Sequence, residues 1–189
     1  TVTDGAGCLD TFTFIVSEPD SLQAIITDTT DAVCSYSADG QAIVTPIGGT
    51  GLYSYDWYDV LGGDNDSVAS GITPGTYHVE VKDINGCIDT GEVVINSPEA
   101  LNLASDSIVS TCSGICTGSA IVIPSGGVTP YFYNWYNAGN QTNDTASNLC
   151  AGIYGVEVTD IKGCIDTLDV EVTEPITIIA SAVDSSAVT

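Results

Sequence analysis

The feature that most constrains this chain is a stretch that recurs. Gly75-Thr76-Tyr77-His78-Val79-Glu80-Val81-Lys82-Asp83-Ile84-Asn85-Gly86-Cys87 alternates apolar and polar side chains, turns at Asn85-Gly86 and ends on a cysteine. It returns 77 residues later as Gly152-Ile153-Tyr154-Gly155-Val156-Glu157-Val158-Thr159-Asp160-Ile161-Lys162-Gly163-Cys164. Its tail already stands near the start as Val2-Thr3-Asp4-Gly5-Ala6-Gly7-Cys8. Self-similarity at a fixed period marks an array of like modules. Residues 1–18 then read as the C-terminal end of an upstream module, 19–97 and 98–174 as two full modules, and 175–189 as the start of a downstream one. With no methionine and no signal-like leader, the chain reads as a window in a longer protein.

Within each module the apolar segments are short, rich in Val, Ile, Thr and Tyr, and separated by Gly, Pro, Asn and Asp, the pattern of strands and turns. In the first module, strands are expected at 22–29, 41–47, 53–57, 67–72 and 88–95, and the recurrent stretch supplies another through Tyr77, Val79 and Val81, ahead of its Asn-Gly turn. Ala42 and Val44 should point inward, as should Tyr53, Tyr55 and Trp57, because alternate strand residues share a face. Pro46 cannot donate to a ladder, which suggests an edge or a bulge. The second module answers position by position: Gly126-Gly127 for Gly48-Gly49, and Tyr131-Phe132-Tyr133-Asn134-Trp135 for Tyr53 to Trp57. Six or seven short strands, an inward Trp and a Tyr just after a tight turn predict an all-β fold of tandem immunoglobulin-like sandwich modules.

Charge removes several functions. There are 25 acidic residues against two Lys or Arg, a net charge of −23. Neutralising phosphates requires Lys and Arg, so nucleic acid is excluded as a partner. No apolar run reaches membrane-spanning length, so no membrane insertion is expected in this window. The single histidine, His78, alternates with Tyr77 and Val79 and should face outward, with Gly155 as its counterpart. Triad and metal templates lack parts, so no catalytic residue and no enzyme activity is expected.

Seven cysteines in small modules point to disulfides in an oxidising compartment. Cys34 and Cys112 share one repeat position; Cys8, Cys87 and Cys164 share another. Cys116 and Cys150 occur only in the second module, where the first has Ala38 and Thr73, so they are expected to bond to each other. Recurrence favours Cys34–Cys87 and Cys112–Cys164 within modules, leaving Cys8 paired upstream. An immunoglobulin strand order would put Cys34 and Cys87 at opposite ends of the sandwich, too far apart for a disulfide. Bonds between neighbouring modules therefore stay open as the alternative.

Taken together, Gly48-Gly49-Thr50-Gly51, Tyr53, Tyr55 and Trp57, then Gly71-Ile72, Gly75-Thr76-Tyr77, Val79, Val81, Asp83 and Asn85-Gly86-Cys87 resemble the SprB repeat. The second module matches through Gly126-Gly127, Pro130-Tyr131, Tyr133, Trp135, Gly152, Tyr154, Val156, Val158, Asp160 and Gly163-Cys164. That repeat is found in very large surface proteins of Bacteroidetes, including the gliding-motility adhesin for which it is named. The resemblance implies export by the type IX secretion system and an extracellular, cell-surface location, as filaments associated with the outer membrane. It implies partners elsewhere in the protein: the gliding or secretion machinery, and the substratum or surface polysaccharide.

The remaining candidates are weighed on this background. Asp83, Asp160 and Asp4 precede the turn, and an Asx-type turn is preferred there over a calcium site. Asp64 and Asp66 are calcium candidates, only Asp66 being repeated, as Asp144; otherwise no cofactor or metal is expected. Tyr58, Phe132 and Tyr136 fall on the outward face and are candidates for surface contact. Nine of the 18 aspartates are followed directly by Ser or Thr, a density that resembles the Asp-(Ser/Thr)-apolar acceptor motif of O-glycosylation in Bacteroidetes. Ser21, Thr29, Ser67, Ser107, Thr145 and Thr167 are the candidate acceptors. The leading expectation is a structural stalk segment of a secreted adhesin whose partners are neighbouring modules of the same chain. The alternative is a glycan- or protein-binding module; a repeat region attached to a secreted enzyme is the third reading.

Overall fold

The structure, a computed structural model, describes residues 1–60, 65–109, 112–177 and 179–181, with the side chains of 106–109 outside the description. Every regular element among the described residues is a strand. The chain divides into two compact units, one of residues 1–30 and 41–95 and one of residues 31–40 and 96–189. The division departs from the sequence repeat chiefly at the loop 31–40, which, like Asn96 and Ser97, belongs to the first repeat in sequence and is part of the second unit.

Unit 1 opens with a small hairpin, β1 (Val2–Thr3) and β2 (Leu9–Asp10), paired antiparallel. Six strands follow: β3 (Gln23–Thr30), β4 (Gly40–Ile47), β5 (Ser54–Asp56), β6 (Val68–Ile72), β7 (Gly75–Lys82) and β8 (Ile88–Ile95). They form two three-stranded sheets, β3-β4-β6 and β5-β7-β8. This is the order of an immunoglobulin sandwich, with β3, β4 and β6 as strands A, B and E and β5, β7 and β8 as strands C, F and G. Alternation decides what is inside: Ala42 and Val44 of β4, Ala69 and Ile72 of β6, Tyr77, Val79 and Val81 of β7, and Val93 and Ile95 of β8 are buried. Trp57 is buried as well, with no exposed surface, and donates its indole N–H to the Asp66 carbonyl at 3.1 Å. Tyr53 and Tyr55 are half-buried beside it.

Unit 2 repeats the arrangement with β9 (Asn102–Val109), β10 (Gly118–Ser125), β11 (Tyr131–Tyr136), β12 (Thr145–Leu149), β13 (Gly152–Asp160) and β14 (Ile165–Val172). Its sheets are β12-β10-β9 and β11-β13-β14. β10 and β4, β12 and β6, and β14 and β8 carry the same succession of buried and exposed positions, so the two sequences solve one packing problem. Trp135 is fully buried and donates to the Asn143 carbonyl at 2.9 Å. In both units the tyrosine after the E–F turn reaches back to that turn: Tyr77 Oη donates to the Thr73 carbonyl at 2.7 Å, and Tyr154 Oη to the Cys150 carbonyl at 3.0 Å. Such a corner is a feature of the immunoglobulin sandwich.

One sequence reading is corrected here. Pro46 does not mark an edge strand, because β4 is the central strand of its sheet. It pairs with Ala24 of β3, and the matching Pro124 pairs with Leu103 of β9. On its other side β10 pairs with β12 only over Gly118–Ile121, so Pro124 lies beyond the end of the short strand and no ladder bond is asked of it.

Candidate functional site

The recurrent Asp-x-x-Gly-Cys turn connects strands F and G, and a single carboxylate builds it. Asp83 Oδ1 accepts the N–H of Asn85 at 3.0 Å and of Cys87 at 2.8 Å. The Asp83 N–H donates to the Cys87 carbonyl, and the Gly86 N–H to the Asp83 carbonyl, both at 3.0 Å. Gly86 closes the turn at φ 88°, a conformation that costs glycine little. Asp160 does the same, accepting from Lys162 at 2.8 Å and Cys164 at 2.9 Å, with Gly163 at φ 87°. Asp4 holds Ala6 and Cys8, both at 2.9 Å, with Gly7 at φ 86°. Three copies of one motif fold into one geometry.

The second oxygen ties the turn to the loop between strands B and C. Asp83 Oδ2 accepts the Thr50 N–H at 2.9 Å, and Asp160 Oδ2 the Val128 N–H at 2.8 Å. This close approach explains the paired glycines. Gly49 and Gly127 lie at positive φ, and a Cβ there would come within 3.1 Å and 3.0 Å of those carboxylate oxygens. Both aspartates are buried, Asp83 at 4% and Asp160 at 2% exposure. The bond from Thr50 N–H leads those that hold the Asp83 carboxyl below its ordinary pKa. At Asp160 desolvation pushes the other way, and the N–H groups of Cys164, Val128, Lys162 and Gly163 outweigh it. The carboxylate needs no ion to be satisfied, since backbone amides fill it.

The cysteine that ends the turn meets two fates. Cys164 is 4% exposed and bonded to Cys34, with 5.6 Å between Cα atoms. Cys8 and Cys87 are exposed thiols without a bond. The expected pairs Cys34–Cys87 and Cys112–Cys164 are therefore absent, and strand order is the reason. The Thr50–Asp83 bond puts the F–G turn at the end of the sandwich where β4 finishes, whereas Cys34 lies in the A–B loop, where β4 begins. Eight residues of strand separate those ends by about 25 Å, far beyond disulfide reach. Cys116 and Cys150 are bonded to each other.

The loop that presents Cys34 has its own scaffold. Asp39 Oδ1 accepts the Val33 N–H at 3.0 Å and lies 2.6 Å from Ser37 Oγ, which accepts the Cys34 N–H at 2.9 Å. Asn96 and Ala32 fasten its start, through Ala32 N–H to the Asn96 carbonyl at 2.9 Å and Asn96 N–H to Asp31 Oδ1 at 2.9 Å. Beside the disulfide, the Ile165 N–H donates to Tyr36 Oη at 2.9 Å. Sequence reasoning singled out neither Tyr36, Ser37 nor Asp39, and nothing repeated in the chain signals them.

The other candidate residues are dispersed. Tyr58 is exposed and stacks on His78, with ring centroids 5.8 Å apart. The His78 imidazole lies between Asp59 at 2.6 Å and Glu92 at 3.1 Å, and the bond to Asp59 leads the effects that raise its pKa. Tyr136 packs over Gly155, where a Cβ would collide with its ring, so the stacked pair is not repeated. Phe132 is exposed. Ser21, Thr29 and Thr167 are exposed, Ser67 and Thr145 half-buried, and the Ser107 side chain lies outside the described residues. Asp64 also lies outside them, while Asp66 caps the Ser67 N–H at 2.7 Å. No group of three or more His, Cys, Asp or Glu among the described residues is arranged to hold a metal. No helix among them is long and apolar enough to cross a membrane.

Residues 26–62 match the family model of the SprB repeat. That repeat belongs to cell-surface proteins and is related to adhesins; with the immunoglobulin-like fold, it is a non-enzymatic kind of module. The disulfides fit an extracellular location. No curated protein matches the chain. Among solved structures, one describing Dscam isoform specificity is 11% identical with a TM-score of 0.34, covering 84% of this chain and 47% of that one. A C-terminal intimin fragment, solved with the intimin-binding domain of its translocated receptor, is 14% identical with a TM-score of 0.39, covering 83% and 64%. The ectodomain of mouse nectin-like molecule 4 is 12% identical with a TM-score of 0.36, covering 86% and 67%. The chain thus spans about half of the first and under two thirds of the second.

Proposed function

We propose that this chain is a structural stalk segment of a large secreted cell-surface adhesin, acting in gliding motility or surface attachment. Residues 19–97 and 98–174 are two complete repeats of its filament, exported by the type IX route, with the adhesive and motor-linked parts elsewhere in the protein. The observation that carries this reading is the Cys34–Cys164 bond, which joins positions 130 residues apart in sequence, one in each repeat. Tension applied to the flanks crosses that bond and bypasses the chain between. At about 3.3–3.6 Å per extended residue, the bond keeps about 430–470 Å of chain from being drawn out. A stalk that must transmit force without lengthening needs such a stop. Exposed Ser21, Thr29 and Thr167 leave room for protective O-linked glycans on its surface.

Single-molecule pulling from the two ends tests the reading. The oxidised chain should stop short, and reduction should release an extra length of the size given above. Equal extension in both states would overturn the mechanical role. The binding alternative finds less support, because the exposed Tyr58–His78 stack occurs in one repeat only.

A further inference from the structure

Cys87 and Cys164 end identical turns, yet one is exposed and the other buried in a disulfide. What covers Cys164 is the A–B loop of the repeat before it in sequence, seated through Cys34 and through the Tyr36 bond to Ile165 N–H. Beside that loop, a hollow of about 400 Å³ brings Asp31, Ala32 and Val33 next to Pro98 and Lys162 of the following repeat. Unit 1 carries a corresponding hollow of about 270 Å³, lined by Pro19, Asp83, Cys87 and Ile88 among others. Pro19 opens its repeat as Pro98 opens the next. No A–B loop stands there among the described residues; Ile84 and Ile88 are 62% and 53% exposed, against 51% and 46% for Ile161 and Ile165 beside the seated loop, so the main difference lies at the thiol itself.

We propose that the Cys87 turn is the docking site for the A–B loop of a preceding repeat, which bonds Cys87 through its own cysteine at the Cys34 position. The Cys34–Cys164 bond is then one rung of a ladder in which each repeat's F–G cysteine is joined to the A–B cysteine of the repeat before it. Cys8, on the same turn, takes the next rung up. The occupant is a loop of the kind that seats on Cys164: an A–B loop held rigid, as Ser37 and Asp39 hold this one, with its cysteine at the Cys34 position. Forming a rung removes two protons and two electrons from two thiols. A protein or small-molecule disulfide takes the electrons by thiol–disulfide exchange and leaves as the dithiol. The ladder stands whether or not the array works in adhesion.

The test begins with the present chain, oxidised and undenatured: Cys87 should take up a maleimide, and Cys164 should not. A copy of residues 19–97 is then joined directly in front of residue 19 in place of 1–18. Non-reducing peptide mapping should find Cys87 bonded to Cys34 of the added copy, beside the Cys34–Cys164 bond, with maleimide labelling of Cys87 lost. Cys87 remaining labelled, or bonded to Cys34 of its own repeat, would overturn the proposal. Mapping of the protein isolated from its native cell surface gives a second reading that does not depend on the added copy folding. There Cys87 must be found bonded to an A–B loop cysteine of the repeat before it, and a reduced Cys87 sinks the ladder.

Discussion

Truncating Asp160 tests the reasoning behind the recurrent turn most directly. Asp160→Ala leaves three N–H groups, those of Lys162, Cys164 and Val128, without the acceptor they reach at 2.8–2.9 Å. A hydrogen bond to a charged group contributes about 1.5–3 kcal/mol, and a simple sum would exceed the real loss. The N–H of Cys164 is buried and must stay dry, while those of Val128 and Lys162 are only partly buried and can recruit water. The expected cost is about 3–5 kcal/mol. For a unit of this size ~1 kcal/mol moves Tm by about 4 °C or more, so the transition should fall by about 12 °C at least. Asp160→Asn separates the two oxygens: its amide oxygen can still hold Lys162 and Cys164, but its NH2 would face the Val128 N–H, donor against donor. It should lie between the wild type and Asp160→Ala. The carboxyl is held below its ordinary 3.8 in the folded state, so its contribution is complete above that value and is lost as the pH falls through the lower folded pKa. Thermal scans by circular dichroism from pH 7 to pH 2 read both effects. An Asp160→Ala protein within about 1 kcal/mol of wild type at pH 7 would refute the reasoning, as would an acid-side loss of stability that persists unchanged in Asp160→Asn.

Gly126→Ala should cost roughly 1–3 kcal/mol from its backbone conformation alone and more from collision with the Ala100 carbonyl, whereas Gly51→Ala, with open space around it, should be neutral in the same melts. The His78 imidazolium is favoured by folding, because its pKa is raised by Asp59 and Glu92. Its contribution should therefore be complete below about pH 6.5 and disappear as the pH rises through the higher folded value; the Tm of His78→Gln should lack that decline, and NMR titration of the imidazole reads the pKa itself. Replacing Cys116 and Cys150 together by Ser opens a loop closed over 34 residues, for which chain entropy predicts a loss of about 4 kcal/mol. Denaturant unfolding under non-reducing conditions measures it, and an unchanged midpoint would count against the cross-link.

Most of the fold was legible because each strand alternates and each gap is punctuated. The expected strand through Tyr77, Val79 and Val81 and the last strand at 88–95 agree with β7 and β8, and the burial of Ala42, Val44 and Trp57 follows from the same period. Of the two readings of Pro46, the edge strand fails because β4 is central, while the β3–β4 register does shift nearby, between Ile26 and Asp28; a proline announces only that a ladder bond is missing, not which neighbour has stopped short. The disulfides were legible in part. Recurrence shows that Cys34 and Cys112 are equivalent, and Cys87 and Cys164 likewise, but equivalence cannot say which copy of one position meets which copy of the other. That choice depends on which end of the sandwich each loop occupies; the expected immunoglobulin strand order already spoke against Cys34–Cys87, and β4, running from the A–B loop to the loop that Asp83 grips, decides it. The partners of Asp83 Oδ2 and Asp160 Oδ2 were hidden for a related reason, lying 33 and 32 residues away, with only the paired glycines hinting at a close approach.

The A–B loop is held in a different way in each repeat, and the contrast bears on the proposed ladder. In the first, Ser37 and Asp39 knit it together with side-chain bonds around Val33 and Cys34. In the second, Cys116 takes the place of Ala38 and is bonded to Cys150 at the E–F corner, where the first repeat has Thr73. The corner itself is unchanged, since Tyr77 and Tyr154 each reach a carbonyl at that position. A loop that only closed a hairpin could be left to solvent, because loop closure grows slowly with length. Two unrelated devices fixing the same loop imply that its shape matters beyond its own repeat. The cysteine it carries must be presented within the narrow range of Cα separations that a disulfide accepts. Rigidity in the loop and rigidity in the Asp-Gly-Cys turn are therefore two halves of one requirement: both ends of the bond have to be in place before the sulfurs meet.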